Sequence, residues 1–104
     1  MAKKVLGQSA PAATVLTDLY TVPATKETVG STITVCNRAT STDKFRISVA
    51  VAGAGDATKQ YIAFNTDISG ENIVEVTVGI TLATIDVVRC YSRDGNLSFN
   101  MFGD

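Results

Sequence analysis

In residues 45–51, Phe45, Ile47, Val49 and Val51 alternate with Arg46, Ser48 and Ala50. Successive side chains of a strand point to opposite faces, so this order makes a strand with one buried and one solvated face. A helix would scatter the same four apolar residues around its circumference. This period of two constrains the chain more than any other feature, because it recurs almost from end to end.

A first β-branched run covers 14–22 and closes at Pro23, which cannot donate to a ladder and suits a strand end. In 28–37, Val29, Ile33 and Val35 share one parity among Ser31, Thr32 and Thr34. Residues 59–64 carry Tyr61, Ile62 and Phe64. In 73–78, Val74, Val76 and Val78 are expected inward, with Glu75 and Thr77 outward. In 85–91, Val88 and Cys90 take one face, and Val87, Arg89 and Tyr91 the other. In 97–102, Leu97, Phe99 and Met101 alternate with Ser98, Asn100 and Phe102. Turn chemistry separates the runs: Ser and Thr in 38–43, Ala and Gly in 52–56, Gly70 in 67–71, and Asp94-Gly95.

No segment holds a helical period. About seven short antiparallel strands predict an all-β fold, an antiparallel two-sheet β-sandwich of the Ig-like or jelly-roll-like kind. Residues 1–11 lack periodicity and end in Ser9-Ala10-Pro11. They are expected as an extended N-terminal arm ahead of a sandwich domain over 12–104. Parity puts Cys90 in the core and Cys36 on the opposite face from Ile33 and Val35, so no disulfide is expected. Asp86 shares parity with Val88 and Cys90, and is expected to cap backbone N–H groups where a loop enters its strand.

The residue inventory narrows function. There is no histidine, the commonest general base and metal ligand, and no Cys-x-x-Cys. Many Ser and Thr residues are present without a partner to activate them. The acidic residues are scattered, and Asp43, Asp56, Asp67 and Asp94 fall in predicted turns without EF-hand spacing. Gly53-Ala54-Gly55 lacks the helix and lysine of a phosphate cradle. No catalytic, metal or cofactor site is expected.

A net charge of −1 is no nucleic-acid footprint, and Lys3-Lys4 is the single basic doublet. No stretch has the apolar length of a membrane span, and the start lacks a signal-peptide h-region. Synthesis in a cytoplasm is therefore expected. Charged residues make up only 18% of the chain, replaced by Thr, Ser, Ala and Asn. Thr favours strands, and a weakly charged exterior also suits surfaces that neighbours cover. Candidate contact residues are Lys3, Lys4, Val5 and Leu6 in the arm, with Tyr61, Arg89, Tyr91 and Phe102 on the body.

Leu19-Tyr20-Thr21-Val22-Pro23-Ala24, followed by an apolar strand ending in Val35-Cys36-Asn37-Arg38, resembles small virion proteins of tailed bacteriophages. The opening Gly7-Gln8-Ser9-Ala10-Pro11 and the ending Leu97-Ser98-Phe99-Asn100-Met101-Phe102-Gly103 are similar to theirs as well. The resemblance implies a β-sandwich subunit of a phage particle, without catalytic residues. The leading expectation is a capsid decoration or cement protein, a homo-oligomer such as a trimer, bound to the major capsid protein in the virion. The alternatives are a tail, neck or fibre-attachment component, and a carbohydrate-binding module for host attachment. The last predicts exposed aromatics clustered on one face.

Overall fold

A computed structural model describes residues 4–104, Val78 by its backbone alone. Its strands are β1 (Lys4–Ser9), β2 (Thr17–Thr21), β3 (Thr28–Asn37), β4 (Asp43–Ala50), β5 (Tyr61–Ile68), β6 (Ile73–Leu82), β7 (Val87–Ser92) and β8 (Leu97–Gly103). They form two four-stranded antiparallel sheets, ordered β1-β8-β3-β6 (sheet A) and β2-β7-β4-β5 (sheet B). The two sheets stack as a β-sandwich. Every connection except β4 to β5 crosses from one sheet to the other, so the chain itself stitches the two layers together.

The core lies between the layers. Sheet A contributes Ile33, Val35, Leu97, Phe99 and Met101, and sheet B contributes Leu19, Phe45, Ile47, Ile68, Val88 and Cys90. Phe45 and Phe99 meet edge to face across the gap, with centroids 6.3 Å apart and planes at 72°. Full burial of side chains this size contributes about 2 kcal/mol each. The rows expected from alternation in β7 and β8 are the rows that point inward.

The structure departs from simple alternation where strands carry an extra residue. Ser31 is extra in β3 relative to β8, which switches the faces on either side of it. Ile33 and Val35 are therefore fully buried, whereas Val29, expected with them, is 46% exposed. The strand expected over 73–78 runs further: β6 passes through Gly79 at φ +50° as a bulge and continues to buried Leu82. At the end of β4, Val49 packs partly on the core. Val51, expected on the same face, is 69% exposed because the chain turns out of the sheet there. The turn is a 3₁₀ segment, Val51–Gly53, with Ala52 at φ +54°.

Residues 4–9 also differ from a free arm. They are extended, but β1 pairs with β8 as an edge strand of sheet A. An extra residue near Leu6 lets Leu6 pack on the core while Val5 stays exposed. Pairing satisfies β8's outer row of backbone groups, which a detached arm would leave to water. Gly7 permits this arrangement, because a Cβ there would collide with the carbonyl of Leu19.

Polar side chains fix the loops. Asp43 is fully buried. Its Oδ1 accepts from the amides of Lys44 (2.7 Å) and Asp94 (3.0 Å), and its Oδ2 from the Ser92 hydroxyl (2.8 Å). One carboxylate thus ties β4 to the β7–β8 turn. Asp86 accepts from the amides of Ala83 and Ala52, each at 2.9 Å. The first bond is the cap expected at the strand entrance; the second reaches a distant loop. Cys36 and Cys90 are both free thiols.

Candidate functional site

The outer faces of the two sheets offer the surfaces on which function can reside. The outer face of sheet A follows directly from alternation. Its cross-strand rows are Val5, Phe102, Thr32 and Thr77, then Gln8, Asn100, Thr34 and Glu75. Glu75 is the one charged residue in these rows. Within the second row, the Gln8 amide donates to Asn100 Oδ1 at 2.7 Å. The face is uncharged over most of its width and rich in short polar side chains.

The outer face of sheet B is built differently. Arg46 on β4 stands opposite Tyr91 on β7. An extra residue in β5 sets Phe64 and Asn65 together on the other side of Arg46. Asn65 takes φ +49°, a conformation that asparagine tolerates better than most residues. The Arg46 guanidinium carbon then lies 4.2 Å from the centroids of both the Phe64 and Tyr91 rings. Its Nε donates to Asn65 Oδ1 at 2.7 Å. Tyr61 meets Phe64 edge-on at 5.0 Å and donates its hydroxyl to Asp56 Oδ1 at 2.8 Å. Partial burial and the bond to Asp56 raise the Tyr61 pKa above its ordinary value.

Beside this strip, residues 51–60 fold back over the sheet. Arg89 clamps them: Nη1 donates to the Ala54 carbonyl at 2.8 Å and Nη2 to the Gly53 carbonyl at 3.4 Å, while Nε reaches Asp18 at 3.2 Å. Gln60 closes the loop on itself through the Gly55 carbonyl and the Ala57 amide. Ser48, Ala50 and Val87, which face outward by parity, are buried as a result. A recess of about 510 Å³ at the loop margin is lined by Val49, Val51, Ala54, Lys59 and Gln60.

The candidate contact residues therefore divide. Lys3 lies outside the described residues. Lys4 and Val5 are exposed on edge strand β1, whereas Leu6 is turned inward. Phe102 sits half-buried on the outer face of sheet A, opposite Val5. Tyr61 and Tyr91 belong to the strip on sheet B. Arg89 is an internal clamp with its side chain only 15% exposed. Arg46 and Phe64 were not singled out from sequence. The signal existed in Arg46 and Tyr91, both outward by parity, but their pairing required the β4–β7 register.

Among the described residues, no group of three or more His, Cys, Asp or Glu side chains is placed to hold a metal ion. Among them too, no helix is long and apolar enough to cross a membrane. Comparison with known proteins found no matching family model, no similar curated protein and no similar solved structure.

Proposed function

We propose that this chain is a structural subunit of a phage particle that works by contact alone, as a decoration or cement protein on the major capsid shell. The observation that carries this reading is the outer face of sheet A. A plane of Thr, Asn and Gln with one carboxylate costs less to desolvate than a charged face when a neighbour covers it and meets its hydrogen bonds, and charge is depleted at the centres of protein interfaces. Repetition over a symmetric shell would multiply modest contacts into firm attachment. The resemblance of the strand and turn motifs to small virion proteins supports the same assignment.

The test is Asn100→Arg, which plants an unpaired charge in the middle of that face. The expected outcome is a folded protein absent from purified particles. Occupancy equal to the unaltered chain would overturn the reading. A copy number matching a single ring rather than the shell would move the assignment to the neck or tail.

A second reading has its own observation. Tyr61, Phe64 and Tyr91 cluster on one sheet face, as a carbohydrate-binding module would require. Against it, Arg46 already covers one face of Phe64 and one face of Tyr91. Glycan-array binding abolished by Phe64→Ala would favour this alternative over shell decoration.

A further inference from the structure

We propose that β6 is the edge through which two copies of this chain join, antiparallel, about a two-fold axis passing by Val76. The Asn37 amide donates to the Asn72 carbonyl at 2.9 Å. In an antiparallel ladder the hydrogen-bonded pairs alternate, so Val74 and Val76 face β3 and the main-chain groups of Glu75 and Thr77 face away. The Ile73 amide also avoids β3, taking the Asn72 side chain at 2.8 Å. No described strand lies beyond β6 in sheet A.

Exposed edges are normally blunted by bulges, shortness, proline or lysine. The other edges here are blunted. β5 carries two register shifts and the Lys44–Asp67 ion pair beside it. β1 has six residues and one shift, and β2 has five residues and one shift. β6 has ten residues, no proline and no lysine, and its one shift, the bulge at Gly79, lies beyond Thr77. It is regular from Ile73 to Thr77. It is thus the edge that offers a clean template for another strand.

The occupant follows from charge and symmetry. Glu75 is the one ionised side chain on β6. A two-fold axis at Glu75 would oppose two carboxylates, which is destabilising. Moving the axis to Val76 sets each Glu75 opposite a Thr77 of the second copy, and aligns the outward-facing backbone groups of both strands for bonding. The joined sheets would then present one continuous outer face, the low-charge face already described. A self-complementary edge forms a closed pair, whereas joining to a different edge would propagate into fibres. This inference does not rest on the virion reading, and either can fail alone.

Sedimentation of the full chain is the test. The unaltered protein is expected as a dimer. Thr77→Pro removes a donor on the free side only, so it should sediment as a folded monomer, with a melting temperature lowered only to the concentration-independent value of the unpaired chain. A monomeric unaltered protein, a folded Thr77→Pro variant that still dimerises, or open-ended assemblies would each overturn the proposal. Should Thr77→Pro fail to fold, Val76→Cys in a Cys36→Ser background decides. The two Val76 positions form a close non-hydrogen-bonded pair within disulfide reach. Mild oxidation should give a covalent dimer, and absence of the cross-link would defeat the two-fold at Val76.

Discussion

The two outer faces of this sandwich solve opposite problems. Sheet B's face is finished within the chain: a loop covers part of it, Arg89 and Asp86 hold that loop, and Arg46 binds the remaining aromatic rings together. Among the described residues, sheet A's face has no such cover, and its short polar side chains make few demands on one another. The difference teaches where to look for partners. A face whose charges and rings are already engaged has less to gain from a neighbour than one left flat and weakly charged.

The largest expected effect lies in the polar anchoring of sheet B. Asp43→Ala removes the acceptor of the buried Ser92 hydroxyl and of the part-buried Lys44 and Asp94 amides. It should cost about 3 kcal/mol or more in urea unfolding. A loss below about 1 kcal/mol would mean that the anchoring is cosmetic.

The two cysteines sharpen the contrast next. Burial pushes the Cys90 thiol up to about 11 from an ordinary value of 9.0, whereas Cys36 stands half-buried on sheet A's outer face. Cys36 should react first with thiol reagents, and Cys90 only on unfolding. Because the folded pKa is the higher one, the contribution of Cys90 is complete below about pH 9. It is lost as pH rises toward about 11, by at most about 2.5 kcal/mol. Cys90→Ala should flatten the fall in stability over that window. An unchanged slope would show that Cys90 ionises as freely as in the unfolded chain.

The smallest effects compare the faces directly. Arg46→Ala should cost about 1 kcal/mol through lost cation–π contacts. Thr34→Ala at the centre of sheet A should stay within about 0.5 kcal/mol. Equal losses would erase the distinction between the faces.

Much of the fold was legible. The bounds of β3 and the inward rows of β7 and β8 match the alternating residues, because burial of one face forces that alternation. Asp86 was legible as a cap for the same local reason, a carboxylate beside a loop entering a strand. Arg46 and Phe64 were not, since nothing along the chain says which residues will stand side by side. Val29 and Val51 were misplaced because alternation was carried past a bulge in one case and past a strand end in the other.

The amino-acid order by itself determined that this chain makes strands, which residues turn inward along each regular stretch, and how little charge its exterior carries. These depend on neighbours in sequence and on the two-residue pleat. Tertiary structure decided that β1 joins sheet A, that Arg46 lies between two rings, and that residues 51–60 cover sheet B. An extra residue such as Ser31 changes faces only relative to a partner strand, and a loop covers a sheet only once that sheet exists. The same holds for β6: its residues say that it is a strand, and only its place at the end of a sheet leaves its edge free.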